Sequence, residues 1–353
     1  MTSSLKWIND TEVLSDVVAL PKVDLHVHGE GGARLERLAA RQEGEPERDW
    51  QAWAYHMAQA APGEARLAFM SAMSEEQEQR LRAMDADPDS FLARCVDLLT
   101  EGAVDGAILI EVLLGSGVLR RPHFMELFRE AERRVQQNFP ALHAEALVCV
   151  TRPGGDEWRE VLFPACLAAA RQGLAGIHII PYPYYEAEAD WSVVRPWVER
   201  ARSAGLGIAV HAGEFSSANL ACALHLPGVS RLAHAIHAAH DPHLLDQIAR
   251  AGITIECCLT SNVLFGAIPR YEDHPLRRFL AHGISVTLNT DNPVHLGTTI
   301  GREYAIAHQF GFSLAELRQF TRSAVLASFA PPKRRAALLA RFESAHPPGC
   351  NTE

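Results

Sequence analysis

"KVDLHVHGEGG" (residues 22–32) carries an apolar run into two histidines and a glycine-rich turn. On an extended strand successive side chains alternate faces, so residues two apart share one. His26 and His28 thus point the same way where the strand ends, and both can reach a single metal ion. What the remaining apolar runs end in then decides both the fold and the site.

Seven further runs have the same form: "GAILIEVLL", "EALVCVT", "GIHIIP", "LGIAVHAGE", "RLAHAIHA", "ITIECCLTSN" and "ISVTLNTDNP". Amphipathic stretches such as "VVRPWVERARSAG", "DPHLLDQIARAG" and "HPLRRFLAHG" lie between them, each closed by a glycine just before the next run. Eight strands alternating with helices predict a (β/α)8 TIM barrel. Residues 35 to about 100 break the rhythm, being helical in pattern with no strand. An insertion in the first βα loop would sit over the C-terminal mouth of the barrel and cover part of a substrate pocket. "SLAELRQFTRSAVLASFAPPKRRAALLARF" reads as two closing helices split by Pro331 and Pro332, with residues after His346 frayed. With no linker and no repeat beyond the alternation, a single domain over residues 1–353 is expected.

Composition narrows the function classes. The chain has 353 residues, 48% hydrophobic and 22% charged, enough to bury a large core. A formal charge of −10 argues against a nucleic-acid backbone or an anionic membrane as partner, which leaves a small molecule. The opening "MTSSLKWINDTEVLSDVV" lacks a basic region followed by an apolar stretch, and no run is long enough to span a bilayer, so a cytoplasmic location is expected. The seven cysteines are scattered, with no C-x-x-C pair, as reduced core thiols would be. A metal site here would not use thiolates. Nor would it be a two-metal site bridged by a carbamylated lysine, because Lys6, Lys22 and Lys333 all lie away from the ends of the middle strands.

Polar residues with ligand chemistry gather at the strand C-termini, which a barrel brings to one rim. The first strand offers His26 and His28, the fifth His211 and Glu214, the sixth His234, and the eighth Asp291 and Asn292. Three histidines and a carboxylate form a complete set for one divalent ion with room for water, and imidazole suits Zn2+. Glu214 and His234 are left for proton transfer. Any one of the 17 histidines alone would more simply be a hydrogen-bonded core residue, but four such residues on one rim are not a core pattern.

These stretches resemble the adenosine deaminase family, a branch of the amidohydrolase superfamily. "PKVDLHVH" (21–28) is similar to its first-strand metal motif, "HAGE" (211–214) to its fifth-strand motif, and "CLTSN" with "HPLRRFLAHGISVTLNTDNP" to its closing section. The resemblance implies that His26, His28, His211 and Asp291 bind one zinc ion, and that Glu214 gives a proton to a ring nitrogen. It also implies that His234 orients or deprotonates the water and that Gly213 contacts substrate. The expected reaction is hydrolytic release of ammonia from adenosine or a related amino-substituted heterocycle.

Three departures bear on the substrate. Where the family has a Gly-Asp-Glu turn whose glycine amide contacts the purine, this chain has "GIHIIPYPYYEAEADW" (176–191), and Pro181 and Pro183 have no N–H to donate. Tyr182 there either stacks on a flat substrate or packs the loop down, as do Tyr184 and Tyr185. The family's second aspartate after the eighth strand is Asn292, which cannot carry its charge. Glu30, in "GEGG", stands nearest to the family's sugar-binding aspartate and either replaces it or is a solvated loop acid. Ala233 and Ala235 flank His234 in place of glycines, and Leu259 replaces a proline.

Two other readings compete. The same metal and proton donor would serve hydrolysis of a ring or amide C–N bond, which a pocket arginine or lysine would favour. A barrel kept only for binding would lack a ligand or the proton donor, and the sequence lacks neither.

Overall fold

Each of the eight apolar runs forms a strand in the computed structural model, which describes residues 15–29, 50–63, 65–66, 68–69, 88–151, 155–181 and 189–345. The strands are β1 (Lys22–His28), β2 (Ala107–Gly115), β3 (His143–Val150), β4 (Gly176–Ile179), β5 (Gly207–Ala212), β6 (Val229–His234), β7 (Thr254–Cys257) and β8 (Val286–Leu288). Every strand pairs in parallel with the next, in the order β1 to β8. Helices follow the strands, completing the (β/α)8 barrel.

The seam that closes the barrel is made by residues beyond β8. The Asn289 side chain accepts the Leu25 N–H at 2.9 Å. Asp291 donates its N–H to the His26 carbonyl at 2.8 Å and accepts the His28 N–H at 2.7 Å. Closure therefore fixes Asp291 between His26 and His28.

Strands buried on both faces read as unbroken apolar runs. Val112, Leu114, Val148, Ile177, Ile179, Ile208 and Val210 pack outward in the main apolar cluster. The residues between them turn inward, and many are polar. At the floor, Phe329 occupies the axis: a Cβ on Gly207 would lie 2.3 Å from its ring and one on Gly176 2.7 Å, so only glycine fits at either place. Arg231 of β6 lies over that ring, its Cζ 3.7 Å from the centroid.

Several runs stop as strands before their last quoted residues, and two of these ends shape the site. "RLAHAIHA" ends as a strand at His234, because Ala235 adopts φ 49° and the chain turns into a 3-10 helix at Ile236–His240. "ITIECCLTSN" ends at Cys257, and Leu259–Leu264 is helical, placing Ser261 and Asn262 on a turn above the barrel.

Of the insertion, the structure describes helices Trp50–Gln59 and Pro88–Val104. Trp53 and Met57 of the first pack on Leu264, Phe265, Val294 and Leu296, over the ends of β7 and β8. Arg66 Nη1 ties the segment down by donating to the Leu264 carbonyl at 2.6 Å. The described part of the insertion packs over that side of the rim. The closing helices are Leu314–Ala327 and Pro332–Ala345; Ser313 and Glu316 form a capping box on the former, and Pro332 opens the latter, where a missing N–H costs nothing. Glu30, Tyr182, Pro183, Tyr184, Tyr185 and the residues after 345 lie outside the described residues. No helix among the described residues is long and apolar enough to cross a membrane.

Candidate metal centre

β1 delivers its two histidines to the rim as alternation requires. His26 Nε2 and His28 Nε2 are 3.3 Å apart, and Asp291 Oδ1 lies 3.7 Å from the first and 3.3 Å from the second. His26 Nδ1 sits 2.9 Å from Glu256 Oε2, an acceptor, so the imidazole proton is on Nδ1 and Nε2 presents a lone pair. At these distances His26 Nε2, His28 Nε2 and the Asp291 carboxylate can share one cation. Ligand atoms about 2.0–2.1 Å from a tetrahedral ion would be spaced about 3.3 Å apart, so the donor set fits the ion that the sequence implies.

His211 of β5 completes the ring, its centroid 4.6 Å from that of His26 and 5.6 Å from that of His28. His234 joins the same cluster at 5.1 Å from His211. Ligand atoms of His26, His28 and Asp291, and separately those of His26, His211 and His234, lie within 4.8 Å of one another. The structure thus brings together the four expected ligands and also places His234 within ligand range.

Asp291 is clamped on both oxygens: Ser261 Oγ donates to Oδ2 at 2.6 Å and Asn292 Nδ2 to Oδ1 at 2.7 Å. Burial would raise its pKa, but the imidazoles of His28, His26 and His234 around it and the Ser261 hydroxyl hold it below the ordinary value, as a carboxylate. The backbone here is strained. Among the described residues the non-glycine residues with positive φ are His234 (65°), Ala235 (49°) and Asp291 (66°), all at this rim.

Gly213 also turns left-handed, with φ +79°, and a Cβ there would meet Leu220 at 2.7–2.9 Å. This turn carries the chain from His211 on β5 to Glu214, which is 4% exposed. Asn262 Nδ2 donates to Glu214 Oε1 at 3.3 Å and contacts His234 Nδ1 at 3.0 Å. The second carboxylate oxygen, Oε2, is 3.7 Å from His234 Nε2. Burial pushes the His234 imidazole down to about 3 against the pull of Asp291, so it is neutral at neutral pH.

Sequence reasoning assigned no role to four residues that shape this centre: Glu256, Ser261, Asn262 and His178. Glu256 orients His26 from behind, the outer-shell role that fixes an imidazole tautomer. Its own Oε1 is 2.7 Å from Arg231 Nε, and Arg231 Nη1 is 2.7 Å from Glu111 Oε2. His178 of β4 is fully buried, its ring 4.4 Å from that of His211 and 4.9 Å from that of His26. His26, His178 and Glu256 also group within 4.8 Å. There, however, His26 Nδ1 already faces Glu256 and Arg231 already supplies the positive charge, so the cation belongs to the rim above. The signal for Glu256 and His178 was present as a charged or ionisable residue inside an apolar strand, which is costly unless paired. No lysine reaches the rim among the described residues: Lys22 donates to the Leu20 and Val18 carbonyls at the opposite end of β1.

Residues 98–345 match the family model described as adenosine deaminase. The adenine deaminase of Chelativorans sp. (strain BNC1) is 42% identical over 145 residues, 40% of this chain and 45% of that protein, so the matched stretch spans less than half of this relative's length. The solved structure of an Arabidopsis N6-mAMP deaminase superposes with a TM-score of 0.76 at 20% identity, covering 94% of this chain and 100% of that one. An amidohydrolase from Burkholderia ambifaria, solved with bound Zn, gives a TM-score of 0.72 at 22% identity, covering 96% of this chain and 94% of that one. The family model takes in β2 to β8 whole, with every rim residue beyond the first strand, and on that match the chain belongs to the adenosine deaminase family.

Proposed function

We propose that the protein is a zinc-dependent hydrolytic deaminase: water replaces an exocyclic amino group on a purine or closely related heterocycle, and ammonia leaves. The observation that carries this reading is the convergence of His26 Nε2, His28 Nε2 and Asp291 Oδ1 at 3.3–3.7 Å, with no cationic side chain among them, beside the buried carboxyl of Glu214. The donor types suit zinc, and the Burkholderia neighbour holds Zn. A divalent ion bound there supplies a water activated at neutral pH.

The chain's own residues do the rest. His26, His28, His211 and Asp291 hold the ion. Asp291, kept ionised and fixed by Ser261 and Asn292, accepts a hydrogen bond from the attacking water. As the water oxygen bonds to the amino-bearing carbon, the C=N electron pair moves to the ring nitrogen, which takes the proton of Glu214 in its acid form. The proton that Asp291 takes from the water passes to the amino group, which leaves as ammonia, while the new hydroxyl returns a proton to Glu214 and becomes the ring carbonyl.

The relative matched in sequence is an adenine deaminase and the Arabidopsis neighbour is named for N6-mAMP, which supports a purine bearing a nitrogen substituent at C6. Gly213, Glu30, Tyr182 and Asn292 are the proposed substrate contacts, and Asn292 also donates its amide to Asp291 Oδ1. The test is ammonia or methylamine release from adenine, adenosine, 2′-deoxyadenosine, N6-methyl-AMP, a pterin and a cyclic amidine, with metal assayed on the same preparation. One equivalent of zinc with release from a purine is the expected result. Bound zinc with every purine inert would overturn the purine assignment.

A further inference from the structure

Behind Glu214 and His234 lies a hydrogen-bond chain whose direction is set by a backbone amide. The Leu276 N–H donates to His274 Nδ1 at 3.2 Å. A backbone N–H cannot reverse its role, so the proton of the neutral His274 ring is on Nε2. His274 is neutral because burial pushes its pKa down to about 3. Its Nε2 is 3.3 Å from Asn262 Oδ1, which must accept. The amide of Asn262 is thereby oriented, with Nδ2 turned to the centre. Nδ2 has two hydrogens and faces two acceptors, His234 Nδ1 at 3.0 Å and Glu214 Oε1 at 3.3 Å. Asn262 is fully buried, and its backbone is held at both ends: its N–H donates to the Cys258 carbonyl at 2.9 Å and its carbonyl accepts the Ile268 N–H at 3.1 Å.

We propose that His274 and Asn262 are positioning residues that dictate the protonation pattern of the two groups above them. With Nδ1 accepting from Asn262, His234 carries its proton on Nε2 and meets the attacking water as a donor. It holds the water, and the acceptor for the water's proton is Asp291. With Oε1 accepting from the same amide, Glu214 carries its transferable proton on Oε2, the oxygen 3.7 Å from His234 Nε2. One asparagine thus settles which oxygen of the acid is the donor and removes His234 as the resting base. The catalytic consequence rests on the deaminase reading; the tautomer itself does not.

The test is a two-bond 1H–15N correlation on 15N-histidine-labelled protein loaded with Zn2+, the His234 signals being assigned by their loss in His234→Gln. In the wild type His234 is expected as the Nε2–H tautomer, and finding it protonated at Nδ1 would overturn the proposal without any variant having to fold. Asn262→Asp keeps the side-chain shape but removes both N–H donors. It is expected to move the His234 proton to Nδ1 and to lower kcat at least about tenfold, with KM within about twofold and zinc content unchanged. An Asn262→Asp protein that keeps both the Nε2–H tautomer and its kcat also overturns it. Wild-type protein with the Nε2–H tautomer but no release of amine from any purine would sustain the relay and refute the deaminase reading, so the two failures are distinguishable.

Discussion

At the floor of the barrel, one guanidinium, Arg231, lies 2.7 Å from Glu111 and 2.7 Å from Glu256, over the ring of Phe329, all of it on regular strands or the loop that plugs them. At the rim, two imidazole nitrogens and a carboxylate oxygen converge within 3.7 Å with no cation from the chain among them, on backbone bent to positive φ at His234 and Asp291. Both regions bury charge. The floor balances most of its charge within the chain and so holds the strands together, whereas the rim balances only when an ion arrives. Glu256 joins the two, one oxygen on Arg231 and the other on His26. Barrels keep stability below and chemistry above, and here a single carboxylate spans the division.

The comparison breaks first at Asp291. Asp291→Ala removes a donor oxygen and the acceptor of Ser261 and Asn292. The expected result is loss of bound zinc, measured by metal analysis, and of detectable turnover. A variant that keeps one equivalent of zinc and its activity would remove Asp291 from the ligand set. Glu214→Gln is next. It keeps shape and metal but has no acidic proton, so kcat is expected to fall by about 10²–10⁴-fold with zinc content and unfolding midpoint unchanged. Near-normal kcat in that variant would place the proton donor elsewhere.

What the sequence made legible follows the same division. The rim was readable because its residues stand where apolar runs end: His26 and His28 by alternation, His211, Glu214 and Asp291 by position. The eight strands were readable because burial on both faces leaves long apolar runs. The strand ends at His234 and Cys257 were not, since nothing in "HAIHA" announces that Ala235 will turn left-handed, and "CCLTSN" stays apolar enough to pass for strand. Glu111, Arg231 and Glu256 were hidden for a related reason. Each is one charge in an apolar strand, and only the barrel's curvature shows that the three meet. Asn262 was visible within "CLTSN", but its two-acceptor role depends on His274, twelve residues away and fixed by the Leu276 amide.

A smaller effect tests the floor. Arg231→Met leaves Glu111 and Glu256 buried without their shared cation, a loss expected to cost about 3–5 kcal/mol in urea unfolding. It also frees Glu256 from one of its two anchors, so zinc affinity should weaken by about 10–100-fold, the usual range for an outer-shell group. Unchanged stability would mean that the ion pairs at 2.7 Å do not hold the floor.

The smallest expected effect isolates Glu111. Burial raises its carboxyl to about 7; the Glu256 charge adds to the rise, while Arg231 and the Phe329 amide oppose it. Between its ordinary value of 4.5 and about 7 the folded chain keeps a proton that the unfolded chain has released. The folded state binds more protons across that window, so the group's contribution is fully present below 4.5 and is lost as pH rises through about 7. Buried neutral histidines such as His274, pushed down to about 3, act in the opposite direction, so the wild-type curve alone does not report Glu111. The difference from Glu111→Gln does, because the amide does not titrate. Relative to that variant, wild-type stability is expected to fall by at most about 3 kcal/mol from pH 4.5 to pH 7, read from urea midpoints. A difference that stays flat would mean that Arg231 satisfies both carboxylates, and the floor would then be balanced where the rim is not.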